Sequence, residues 1–409
     1  MEDSLGPIAI TDFASPSNRR FKMSLTRELI ESIEQALQQG GPVDTLELVA
    51  AQLLEQQKFH ELFEVRKMQA RSRLDLPLVP FPDDEEPAQE RRDALDDALL
   101  DVCREIGTLF LRSGRIQEGW MYFRPVGATD EVRGLLAQIE VTDDNSDQLV
   151  GVLLSEGVDP VRGFEIVLQR YGTCNAITTF EAEMPRQSPA VQRASARLLA
   201  RHLYEELRSN LQHDLSRRSL AVPADGSVHA IVNEYPQLFE EHAYHIDTTH
   251  LASVVRFAKL LNDADDLKLA RELCEYGCHL SEQYQFPGDE PFASTFADHR
   301  RFFNVLLGLQ VEEGLAFFQQ KAETTDPYTQ GTMAAEVVID LLARIGQARE
   351  AFDASLQWLA GRNTLGVAPS LVELADQMHD YEPLLNYCAE QDDILGYATA
   401  KLLSQRQSR

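Results

Sequence analysis

Apolar residues recur every three or four positions along most of this chain, the spacing of amphipathic helices. Ser24 or Thr26 is placed to cap a first helical turn, and Leu29, Ile30, Ile33 and Leu37 then repeat on one face. Gly40-Gly41-Pro42 is expected to end that helix, and a second, from about Thr45, carries Leu46, Leu48, Val49, Leu53 and Leu54. Between Leu74 and Pro87 the rhythm fails. Pro77, Pro80, Pro82 and Pro87 remove backbone donors and bias their predecessors away from helix, which predicts an extended connector, anchored in part by Phe81, or else a partner-recognition segment. From Arg91 onward helix follows helix, with breaks near Gly127, 141–147, Gly157, Gly172, 184–189, 221–228, Asp247, 262–266, 285–291, 324–331, Gly361–Pro369 and Asp380. No alternation of period two persists. The run Val150–Leu154 fits a buried helix as well as a strand. The fold class expected is all-α.

One phrase is more specific: Ile106-Gly-Thr-Leu-Phe110-Leu-Arg-Ser-Gly114-Arg-Ile-Gln-Glu-Gly119-Trp-Met-Tyr-Phe123. Weaker copies follow at Leu342–Leu356, with Gly346 and Ala351, and at Ala258–Ala270, with Asp265 in place of the turn glycine. Looser echoes end on Leu62, Gly163 and Gly314. The phrase resembles the tetratricopeptide repeat (TPR), in which two short helices pack through small residues and fill the space between hairpins with aromatics. Gly107, Phe110, Gly114, Gly119 and Phe123 stand at the family's offsets. The intervals depart from the family period of about 34 residues. Gly119 to Gly163 and Ala270 to Gly314 are each 44 residues, and Gly314 to Ala351 is 37. The final proline of the repeat is mostly missing. The resemblance therefore implies an irregular, TPR-like α-solenoid, the kind of array that binds another protein or a peptide in a groove.

The organisation expected is a flexible segment over 1–23, helical hairpin(s) over 24–73, a proline-rich acidic linker over 74–90, the TPR-like solenoid over 91–403 and a tail over 404–409. Among Trp120, Tyr122 and Phe123, adjacent positions cannot all face one way on a helix, so Trp120 or Tyr122 is the candidate partner-binding anchor.

Charge narrows the partners. Lys and Arg total 38 against 66 Asp and Glu, a net charge of −28. That field repels a phosphate backbone and attracts a basic protein surface. No apolar run reaches the roughly 20 residues that span a bilayer, and the acidic start Met1-Glu-Asp lacks the pattern of a secretory signal. The expected location is the cytoplasm. Five cysteines (Cys103, Cys174, Cys274, Cys278 and Cys388) in 409 residues suit reduced, structural thiols.

Catalytic signatures are absent: no phosphate-binding P-loop, no dinucleotide-binding glycine motif and no nucleophile elbow. Asp143-Asp-Asn145-Ser-Asp147 starts like a calcium loop, but Gln148 and Leu154 occupy its glycine and glutamate positions, which leaves a helix N-cap cluster. One metal candidate stands. His242 and His245 lie three apart at the end of a helix expected to begin near Pro236, and His250 follows an Asp247 or Thr248 cap; three converging imidazoles would suit Zn²⁺. Cys274, Cys278 and His279 make a weaker thiolate candidate. The leading expectation is a non-enzymatic scaffold with no cofactor that binds a protein or peptide, the acidic field favouring a basic one. The alternative is a zinc-binding protein centred on His242, His245 and His250. A structural role within a larger complex is a third reading.

Overall fold

The computed structural model describes residues 26–407. The lead-in over 1–23, the Ser24 cap and the end of the tail, residues 408–409, lie outside the described residues. The chain divides into two compact units, one up to Glu140 and one from Val141. The boundary falls in the 141–147 break rather than in the proline-rich connector, because the helices on either side of that connector pack together.

The first unit contains α1 (Arg27–Glu55), α2 (Phe59–Arg73), α3 (Gln89–Arg112), α4 (Ile116–Phe123) and α5 (Thr129–Leu136). Thr26 caps α1 by accepting from the Leu29 amide. Gly41 and Pro42 do not end this helix. They kink it, Gly41 taking φ 71° and ψ −159°, a conformation open to glycine. The connector is held by Arg71, which donates to the Pro77 carbonyl at 2.5 Å. Phe81 anchors nothing, being 68% exposed.

The second unit contains α6 (Ser146–Val150), continued by a π turn over Gly151–Ser155, then α7 (Pro160–Glu183), α8 (Pro189–Arg217), α9 (Val228–Glu234), α10 (Thr248–Phe257) and α11 (Ala264–His279). It goes on with α12 (Thr295–Leu306), α13 (Val311–Thr324), α14 (Met333–Arg344), α15 (Ala348–Leu359), α16 (Leu371–Met378), α17 (Glu382–Glu390) and α18 (Ile394–Gln407). Helices adjacent in sequence pack on one another, except that α9 packs on α8 and α11 rather than on α10. In addition α7, α10, α12 and α14 form a row in which each touches the next. Phe180 of α7 stacks on Phe257 of α10 at 4.3 Å within that row. Among the described residues the only β feature is an isolated bridge between Pro287 and Ser294, and no helix is long and apolar enough to cross a membrane.

The hairpins share a construction. Gln57, Gly114, Gly157, Gly308 and Gly346 all take left-handed φ between 53° and 84° in the turn after a first helix. At four of them the amide of the next residue returns to a carbonyl five residues back: Lys58 to Leu53, Arg115 to Phe110, Leu309 to Asn304 and Gln347 to Leu342. This Schellman closure satisfies carbonyls the helix end would otherwise orphan. Leu62, Gly119, Gly163, Gly314 and Ala351 then each fall at the fourth residue of the second helix. At Gly119 the helices nearly touch. A Cβ there would lie 2.5 Å from Leu111 Cδ2 and 3.1 Å from the Gly107 carbonyl, and one at Gly107 would lie 2.6 Å from Phe123 Cδ2. Gly163 against Leu154 and Gly314 against Val305 leave as little room.

A buried acid closes the loop before α16. Glu336 of α14, fully buried, accepts from the Leu365 amide at 2.7 Å, the Val367 amide at 2.8 Å and the Thr332 hydroxyl at 2.6 Å. Its carboxylate supplies acceptors that a loop lacks when it has no ladder partner.

Gly107→Ala and Gly119→Ala are each expected to destabilise the first unit by about 1–3 kcal/mol through overpacking. Gly134→Ala in α5, where an added methyl meets nothing within 4 Å, is expected to be neutral or slightly stabilising. Urea unfolding of the three variants checks the contrast.

Candidate functional site

The expected histidine cluster does not assemble. Its premise was one helical face through His242 and His245, but the turn that starts at Pro236 breaks at Glu240, where ψ is 154°, and Glu241 and His242 both take left-handed φ. His242 is left exposed. His245 turns inward: its amide donates to the Tyr276 hydroxyl at 2.7 Å, and its Nε2 faces the Asp214 carboxylate at 3.3 Å. The carboxylate fixes the tautomer, so Nε2 donates and Nδ1, 3.2 Å from the Tyr276 hydroxyl, accepts. Burial lowers the His245 pKa even so. His250 sits in the first turn of α10, where Asp247 caps the helix by accepting from the Thr249 and His250 amides. Among the described residues no group of three or more His, Cys, Asp or Glu side chains is arranged to hold a metal ion. Cys274 and Cys278 are pushed the wrong way for thiolate ligands, burial raising both thiols. The acids at 143–147 are engaged by the fold: Arg170 pairs with Asp143 at 3.1 Å and the Tyr171 hydroxyl donates to Asp147.

The aromatic pair divides. Tyr122 is a core residue at 9% exposure, stacked on Phe110 at 5.4 Å, with its hydroxyl 2.8 Å from His60 Nδ1. It is not a surface anchor, because that face of α4 packs against α3. Burial pushes its phenol up to about 12. Trp120 is half-buried, and its indole Nε1 is covered without a hydrogen-bond partner among the described residues. The exposed apolar side chain of α4 is Met121.

The most developed polar cluster lies where α10, α12 and α14 meet. The chain leaves α10 through a 3-10 turn, Ala258–Leu260, whose terminal carbonyls need donors from elsewhere. Arg344 of α14 supplies them, donating from Nη1 to the Lys259 carbonyl at 2.9 Å and from its second amine to Leu261. Arg193 of α8 reaches the Leu260 carbonyl at 3.3 Å. The Lys259 ammonium lies over the Phe292 ring at 4.6 Å, and Phe292 stacks on His299 at 4.1 Å. His299 Nδ1 donates to the Thr295 carbonyl at 2.6 Å, which leaves Nε2 buried and without a partner among the described residues. Arg344 also pairs with Asp340 at 3.2 Å, and the exposed Arg256 completes the group.

The electrostatics follow from burial. Desolvation, with Arg256 nearby, brings the Lys259 ammonium down to about 8. Desolvation and the Lys259 charge push His299 down to about 3, so it stays neutral at ordinary pH. Burial raises Asp340. Lys259 thus sits on an aromatic floor with Arg256 and the Arg344–Asp340 pair around it, more cations than carboxylates, an arrangement suited to accepting an anionic group such as a carboxylate. The sequence offered one faint sign of it, a charge embedded in the apolar run Phe257-Ala-Lys259-Leu-Leu261.

Neither a protein-family model, nor a curated protein, nor a solved structure matches this chain.

Neutral His299 contributes stability that is fully present above its unfolded pKa near 6.5 and is lost as pH falls toward 3. At pH 5 that loss amounts to about 2 kcal/mol. Thermal melts at pH 7 and pH 5 are expected to show a larger drop for the natural chain than for His299→Gln.

Proposed function

We propose that the protein is a non-enzymatic scaffold, a TPR-like irregular helical-hairpin array that binds a segment of another protein along the row α7, α10, α12 and α14. The observation that carries this reading is the recurrence of one hairpin geometry, a left-handed turn followed by a close-packing residue at the fourth position of the second helix. Stacked hairpins of this kind create extended surfaces to which each helix contributes one or two side chains. The Lys259 cluster lies on that row and supports a segment bearing a carboxylate there. The chain's net charge of −28 favours basic residues flanking it. The partner chemistry proposed is therefore a basic segment with an acidic residue at its centre.

Native mass spectrometry of the protein purified gently from its source tests the reading. A stoichiometric protein or peptide adduct is expected, and it is expected to be lost in Arg256→Glu, an exposed change that leaves the core intact. Binding should also weaken as pH rises through about 8, where Lys259 loses its charge. A bare natural chain, or an adduct of one transition-metal ion lost on replacing His245, overturns the proposal.

A further inference from the structure

Helix α18 ends the described part of the second unit. Its inner face is covered, with Ala400 fully buried and Leu403 packed on the core. Its outer face is not. Ile394 is 84% exposed, Leu395 78% and Leu402 67%. Leu395, Ala398 and Leu402 follow the i, i+3, i+7 spacing of a helix-packing stripe.

The charges around the stripe are divided by position. Glu390, Asp392 and Asp393 precede it, and the helix itself has no acidic residue; Lys401, Arg406 and Arg409 are the only charges from Ile394 to the C-terminal residue. An acidic start, an apolar middle and a basic end make a segment complementary to itself when reversed. Parallel pairing would set like charges side by side. A partner of one charge sign would satisfy only one end.

We propose that two copies of this chain pair through α18, antiparallel, about a two-fold axis near Ala398. Leu395 of each copy then faces Leu402 of the other, and the small Ala398 at the crossing lets the helices approach closely. Lys401 comes within about one turn of the partner's acidic flank, and the two helix dipoles run opposed, which is favourable. Three or four turns of helix cover less than the ~800 Å² per partner of a stable interface. The dimer is therefore weak, with a dissociation constant on the order of 10–100 µM.

Sedimentation of the full chain across concentration is the test. A monomer–dimer equilibrium is expected. Leu395→Glu with Leu402→Glu should abolish it without changing the melting temperature, since both side chains are exposed. Lys401→Glu should weaken it about tenfold at low salt. Register is read by oxidation of variants with one added cysteine in a chain whose exposed Cys174 is replaced by Ser: Ala398→Cys should cross-link to itself and Leu402→Cys should not. A chain monomeric up to ~1 mM, a dimer undiminished in the double glutamate variant, or self-linking of Leu402→Cys overturns the proposal.

Discussion

The close approach of two helices just after a left-handed turn is the constraint on which most of this structure depends. A Cβ added at Gly107 or Gly119 would run into the Phe123 or Leu111 side chain and stand 3.1 Å from the facing glycine's carbonyl, so the second helix can start only at one angle and one depth. That position sets which residues become core: Phe110, Leu111, Ile116 and Phe123 are buried because the hairpin closes there. Where the fourth residue is larger the geometry survives by other means. Leu62 in α2 is itself fully buried, and Phe59 meets Phe110 edge-on at 5.1 Å. The turn, not the glycine at the contact, is the common element.

This explains what the sequence disclosed. A left-handed turn favours glycine, so Gly114, Gly157 and Gly346 announced their hairpins. His379 and Asp392 adopt the same φ without that signal; the break expected near Asp380 is the α16–α17 turn, whereas the α17–α18 turn at Asp392 left no mark in the sequence. The histidine reading failed for a related reason. Spacing arguments assume the helix continues, whereas two left-handed residues at Glu241 and His242 end it, and His245 is captured by Asp214 and Tyr276, each 31 residues away. Lys259 was illegible because Phe292, His299, Asp340 and Arg344 reach it only through the stacking of successive hairpins. Local pattern reports local geometry; a cluster drawn from three helices leaves almost no trace in any one of them.

Net charge is a similarly coarse guide. Several acids are spent inside the fold rather than on the surface field. Asp266, almost wholly buried, is held at 2.6 Å by both Arg197 and Arg201 of α8, and Glu336 serves the loop before α16. Glu275 takes His229 at 2.7 Å and Asn233 at 3.1 Å. Burial of a charge is tolerated only with such partners, so these acids cement neighbouring helices and contribute little to long-range attraction.

The Lys259 cluster differs from those pairs in a way that bears on function. Asp266 and Glu336 are saturated by donors from fixed helices or loops, and their chemistry is complete within the fold. At Lys259 the balance is reversed: cations outnumber the single carboxylate, the ammonium is depressed toward neutrality, and the imidazole beneath it keeps an unpaired nitrogen. A fold selected for stability alone would gain by replacing such a group with apolar side chains of similar volume. Its place at the end of α10, where a short 3-10 turn ends the helix and α14 reaches across to cap it, ties the cluster to the row that stacked hairpins create. If the protein is the scaffold proposed above, the charge this under-neutralised cluster lacks is supplied by the bound segment, which is the physical reason for placing recognition there.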